Sequence, residues 1–202
     1  MENHQVDLPE NSATSRRRLL TSLLAGGAFA AAAPMLASRA SAADATTTTT
    51  EAPMGAPSTT AAPNRDAGDT NVLNSLINRE TQMVATYKTA IAATKNANDV
   101  AALTLIHDHH VAYEQALKGY LGRVAVSGNT TPLANVTGAF TSIASQLAAI
   151  ETATMNQHID ALNSVNGLDA ATLLASIITM EARHSAALAL VSGLAPLSAA
   201  GN

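Results

Sequence analysis

Glu181 and His184 interrupt an apolar stretch, "IITMEARHSAAL" (residues 177–188), at positions where a core helix ordinarily carries leucine. The same anomaly occurs three more times. Glu80 stands in "NVLNSLINRETQMVATYKTAI", His107 and His110 in "LIHDHHVAYEQAL", and Glu151 in "FTSIASQLAAIETATMNQHIDAL", each in step with apolar neighbours. Residues at i, i+3, i+4 and i+7 share one helix face, so each segment carries ionisable groups on the face due for burial. An isolated buried charge is costly or titrates until it is neutral. Carboxylates and imidazoles gathered from four segments instead suit a cation at their centre, and this donor set fits iron, manganese or zinc. The candidate ligands are therefore Glu80, His107, His110, Glu151, Glu181 and His184. Glu114, one turn beyond His110, is either a further ligand or an acid that holds that histidine. Tyr87 and His158 read as supporting groups or additional ligands. His109 points about 100° away from His110 and reads as a surface residue.

These groups need rigid elements to hold them, and the hydrophobic period supplies four helices. The first spans about 70–94, with Asp69 and Thr70 able to cap its start and "KNAND" ending it. The second spans about 99–126 and is broken by "SGNTTP". The third spans about 138–165 and is broken by "NGLD". Asp169 is placed to cap the fourth, which runs to about 191. An internal echo links the halves. Glu80 and Tyr87 are seven apart on the first helix, as Glu151 and His158 are on the third. His107-x-x-His110 on the second answers Glu181-x-x-His184 on the fourth. The expectation is an all-α four-helix bundle of two hairpins, each giving a lone carboxylate and a pair ending in x-x-His. Two divalent ions would bring four positive charges against three from Glu80, Glu151 and Glu181. That excess disfavours the oxidised metals.

The remaining sequence bounds the function. The chain has 202 residues, a net charge of −4, 47% hydrophobic and 2% aromatic residues, and no cysteine. The lack of a basic excess gives no footing for nucleic acid, and the lack of cysteine removes disulfides and thiolate ligation. Residues 1–42 read as a removable export signal. Arg16 and Arg17 in "SRRRLL" resemble the bacterial twin-arginine signal, an apolar run follows, and Ala40-Ser41-Ala42 offers cleavage after Ala42. The run is short, rich in glycine and alanine and broken by Pro34, which favours a cleaved signal over stable membrane insertion. Residues 43–69 are rich in Thr, Ala and Pro and read as a disordered linker. The bundle occupies 70–192 and a tail 193–202. The predicted location is extracytoplasmic, reached through the twin-arginine translocase. Abundant alanine suits close helix packing within the chain or in a homo-oligomer.

The four quoted segments, covering about residues 71–191, resemble the ferritin-like superfamily, in particular exported bacterial ferritin-like domain proteins. The resemblance implies a four-helix bundle with a long crossover between helices two and three, and ligand roles for Glu80, His110, Glu151, Glu181 and His184. His107 stands where that family commonly has Glu. The implied cofactor is a divalent metal, iron or manganese first and zinc next, and the implied reaction is ferroxidase-like oxidation or peroxide disproportionation. The competing expectation is a non-enzymatic envelope or stress-related bundle with a weak or absent metal site.

Overall fold

The structure, a computed structural model, describes residues 66–194. The expected export signal and nearly all of the expected linker, with Arg16, Arg17 and Ala42, lie outside the described residues, as does most of the tail. Four α-helices follow in order: α1 (Asp69–Ala93), α2 (Ala97–Leu121), α3 (Phe140–Leu162) and α4 (Leu168–Ser192), with one 3-10 turn at Gly122–Val124. The short turns 94–96 and 163–167 make α1 with α2, and α3 with α4, antiparallel hairpins. The fold class is therefore the all-α, two-hairpin bundle expected from the sequence.

The helix ends differ from the sequence reading because other groups do the capping. Asp69 is the first residue of α1 rather than its cap. Its carboxylate accepts from the Asn166 and Gly167 amides, both at 2.9 Å, and so ties the start of α1 to the α3–α4 turn. Helix α2 starts at Ala97, where the Asn96 side chain accepts from the amides of Asn98 and Asp99. Such a cap contributes about 1 kcal/mol. It ends five residues short of Val126, at Gly122, whose φ of 62° breaks the helical path. Gly167 precedes α4, and Asp169 lies in its first turn without a cap hydrogen bond.

The crossover 122–139 climbs along α1. Asn74 donates to the Val124 carbonyl and accepts from the Val126 amide. Asn78 accepts from the Asn129 amide, and Thr86 Oγ1 from the Leu133 amide. From Asn74 to Thr86 the helix rises about 18 Å, so the crossover carries the chain back to the far end of the bundle. There α3 starts and runs antiparallel to α1. This path needs Gly128. A Cβ at that position would sit 1.8 Å from Thr81 Oγ1 and 3.1 Å from the Ile77 carbonyl. Gly128→Ala is expected to cost about 1–3 kcal/mol, the usual range for overpacking. A thermal melt checks it, and an unchanged melting temperature would show that the crossover does not need this close approach.

The apolar core is split. One cluster, with Leu103, Ile106, Ile143, Leu147 and Leu188, fills the end where the crossover meets α3. The other, with Leu73, Ile77, Leu117, Leu174 and Ile177, fills the end near the α3–α4 turn. Between them, at the middle of all four helices, lies a polar layer. Helix α4 is long and apolar enough to cross a membrane by length and composition. Here half of its most apolar window is buried against the other helices, and it delivers Glu181 and His184 to that layer.

Candidate metal centre

Glu80 from α1, His110 from α2, Glu151 and His158 from α3, and Glu181 and His184 from α4 are all fully buried. Their positions follow from period and pairing. Glu80, His110, Glu151, Glu181 and His184 sit near mid-helix on the inward line, so antiparallel packing brings them together, and His158 joins them from two turns further along α3. His110 lies at the centre, with Nδ1 2.7 Å from Glu80 Oε2 and Nε2 3.0 Å from Glu151 Oε1. Burial alone would lower the pKa of His110, but Glu151 and Glu80 outweigh it and raise it well above the ordinary histidine value. Burial alone would raise Glu151, yet His110 and His184 hold it well below the usual carboxylate range. The three groups thus favour a charged imidazole clasped between carboxylates.

The seven-residue echo seen in the sequence becomes a crosswise pair of contacts. Tyr87, seven beyond Glu80, donates its hydroxyl to Glu151 Oε1. His158, seven beyond Glu151, places Nε2 3.3 Å from Glu80 Oε1. Tyr87 also stacks on His110, with ring centroids 5.4 Å apart. His158 Nδ1 faces the Thr154 carbonyl at 3.0 Å and Glu181 Oε2 at 3.1 Å. Burial would lower His158, but Glu181 and Glu80 raise it above its ordinary value.

Glu181 is the least satisfied member. Neither of its oxygens has a hydrogen-bond partner, and its Oε2 has only the ion-pair approach of His158. Burial, with repulsion from Glu80 and Glu151, pushes its carboxyl up to about 7 against the pull of His158. Glu80 Oε1, Glu151 Oε2 and His184 Nδ1 are likewise buried without a hydrogen bond. Two groups in this layer could hold a metal ion: His110, Glu151 and His184, and Glu80, His110 and Glu181. In each, the ligand atoms lie within 4.8 Å of one another. The chain belongs to the ferritin-like domain family. Residues 68–194 match the model of that family, described as a ferritin-like domain. No match to a curated protein was found. As in the family resemblance, the ferritin-like chain draws its buried carboxylates and imidazoles from all four helices.

The second helix of this ferritin-like domain differs from the sequence reading. His107 belongs to neither metal-competent group: its Nδ1 bonds Asp108 Oδ1 at 2.9 Å and its side chain keeps 16% exposure, while its Nε2 is buried without a hydrogen bond. Glu114, two turns further along the same line, accepts from Thr81 Oγ1 at 2.8 Å and Lys118 Nζ at 2.6 Å, away from the layer. His109, read as a surface residue, is instead buried, with Nδ1 2.9 Å from His184 Nε2. The cause is the centre of the inward face. Ile106, His110, Tyr113 and Leu117 define it, so His107 and His109 fall on its two flanks. The His109 flank faces α4. Burial, with repulsion from His184 and His110, lowers the His109 pKa to about 4. Arg79 is a second group that periodicity does not single out. It is half-buried beside the layer, and its Nε donates to Thr154 Oγ1 at 2.9 Å.

Proposed function

We propose that this ferritin-like domain binds a pair of divalent metal ions in the central layer and is exported before it does its work. The observation that carries the reading is Glu181: a fully buried carboxylate whose Oε1 has no partner and whose Oε2 has only the approach of His158 Nδ1 at 3.1 Å. Leaving a buried polar atom unpaired costs about 1–3 kcal/mol, and more for a charged one. Unpaired atoms from Glu80, Glu151 and His184 point to the same remedy. The donor set of carboxylates and imidazoles, without sulfur, fits iron or manganese first and zinc second.

Glu80, Glu151, Glu181, His110 and His184 would hold the ions. Bound iron or manganese would supply redox chemistry towards oxygen or peroxide, whereas zinc would supply Lewis acidity alone. The chain's own residues prepare the layer. Tyr87 orients Glu151, the two apolar clusters keep bulk water from both ends, and protons compete with a cation for the ring nitrogens of His110. Elemental analysis of protein purified without chelator tests the reading, with two ions per chain expected. Metal-free protein that also takes up neither iron(II), manganese(II) nor zinc(II) in a titration would sink it. A second reading has its own support. His110 already bridges Glu80 and Glu151 with both ring nitrogens, an arrangement that also suits a structural layer without metal in a non-enzymatic envelope protein. The same titration decides between the two.

Export rests on the sequence. The Arg16-Arg17 pair and the apolar run ending at Ala42 fit the twin-arginine route, which would place the domain outside the cytoplasm. Changing both Arg16 and Arg17 to Lys is expected to leave uncleaved precursor in the cytoplasm, read by fractionation and mass. Undiminished export of that double variant would remove the assignment.

A further inference from the structure

We infer that Arg79 is a specificity-determining residue for metal occupancy: a fixed guanidinium at the edge of the layer that weakens the binding of one of the two divalent cations. The inference rests on the metal-binding reading above. Arg79 precedes Glu80 on α1, about 100° around the helix from the inward line. Its side chain reaches across to α3, where Nε donates to Thr154 Oγ1 at 2.9 Å. Thr154 is fully buried and stands between Glu151 and His158 on one face of α3. The Thr154 carbonyl meets His158 Nδ1 at 3.0 Å, so the residue that anchors the guanidinium is part of the wall of the layer. That anchor is neutral. None of the ion pairs among the described residues includes Arg79.

A half-buried guanidinium keeps its charge but gives up part of its hydration, and an attractive field has to offset that loss. Burial lowers the pKa of Arg79, and Glu80, then Glu181, then Glu151 act against it. The counter-charge of Arg79 is therefore the layer itself. Divalent ions entering the layer take up the same carboxylates, and Arg79, held by Thr154, then faces cations. The repulsion is uneven. Glu80, its chain neighbour, and Glu181 belong with His110 to one metal-competent group, whereas the other, His110, Glu151 and His184, contains only the carboxylate that acts on Arg79 least. The ion held by Glu80, His110 and Glu181 is the one that Arg79 opposes, so the two ions bind with unequal affinity.

Stepwise zinc(II) affinities of the full chain, measured by competition with chelators of graded strength, test this. Arg79→Gln and Arg79→Met remove the charge, and Arg79→Lys keeps it without the planar fork. In both neutral variants the weaker step should tighten about 10–100-fold, the order expected for a unit charge acting on a divalent ion across a half-buried, partly screened site. The stronger step should move by no more than a few-fold, and Arg79→Lys should stay within a few-fold of wild type at both. A packing defect loosens binding, so tightening is a change that a merely structural role does not produce. A wild type that takes up one zinc and a neutral variant that takes up two would also support the inference. Unchanged or weaker binding in both neutral variants, or an Arg79→Lys protein that tightens as much as they do, would overturn it while zinc uptake by the wild type upholds the metal reading. No uptake of zinc(II), iron(II) or manganese(II) by the wild type or by either neutral variant would overturn the metal reading and this inference together.

Discussion

Glu151→Gln and Glu181→Gln are expected to act in opposite directions on the metal-free protein and in the same direction on the metal-loaded one. Glu151 is better paired than Glu181: its Oε1 meets His110 Nε2 and the Tyr87 hydroxyl, and its Oε2 has the ion-pair approach of His184. Removing its charge leaves the buried His110 cation with Glu80 alone. Breaking a buried pair in this way costs about 3–5 kcal/mol, equivalent to a fall of roughly 10–20 °C in melting temperature for a domain of this size. Glu181 is less well paired, and its carboxyl is pushed up to about 7 because burial penalises the charge. At pH 8 the metal-free Glu181→Gln protein should therefore be as stable as wild type or more so. Both variants should lose at least one ion. Thermal melts in chelator and metal counts without it check the set, with Glu114→Gln as the control. Glu114 is bonded at the rim by Thr81 and Lys118, and its loss should cost about 1 kcal/mol or less. Equal destabilisation by Glu151→Gln and Glu181→Gln would mean that the layer is not divided into better-paired and poorly paired carboxylates as described.

That division was not legible in the sequence, although most of what frames it was. Glu80, Glu151, Glu181 and His184 could be assigned to a buried layer because each stands among large apolar residues at helical spacing. The seven-residue echo likewise foretold which helices correspond, and the crosswise Tyr87–Glu151 and His158–Glu80 contacts follow from it. The second helix defeated the same reasoning for a geometric reason. In "ALTLIHDHHVAYE" two lines have identical spacing: Ala102, Ile106, His109 and Tyr113, and Leu103, His107, His110 and Glu114. Period fixes the lines but not which flank faces the opposite hairpin. His110 lies on the second line and next to His109 of the first, and the structure buries both. The analogy between His107-x-x-His110 and Glu181-x-x-His184 drew attention to the His107 flank and away from His109, which the structure buries against His184. The helix ends were misjudged for another reason. Asp69 is a plausible cap by residue type, but its partners, the amides of Asn166 and Gly167, are nearly a hundred residues away.

Metal binding should stabilise the fold strongly, and the gain should shrink as the pH falls. A ligand that binds only the native state adds about 4 kcal/mol at a thousand times its dissociation constant, or a rise of roughly 15 °C here. Protons compete for the same atoms. Glu151 and Glu80 raise His110 well above its ordinary value against the effect of burial, so protons compete with a cation for its ring nitrogens. Glu181, at about 7, is already ionised at pH 8 and protonated at pH 6. The apparent affinity should therefore fall as pH falls, and the slope should steepen by about one proton on passing below pH 7. The metal-free protein should move the other way in part of this range. A carboxyl whose folded pKa lies above its unfolded value carries the full cost of its buried charge above the folded pKa. That cost is relieved as the pH drops from about 7 towards the ordinary value of 4.5. Glu151, held low, keeps its stabilising contribution throughout that window and loses it only in stronger acid. Calorimetric titrations in two buffers of different ionisation heat count the protons released, and melts with and without metal at pH 6 and pH 8 measure the gain. A metal-dependent rise that is equal at both pH values, with no proton release, would show that the ions bind somewhere other than the Glu181–His110 layer.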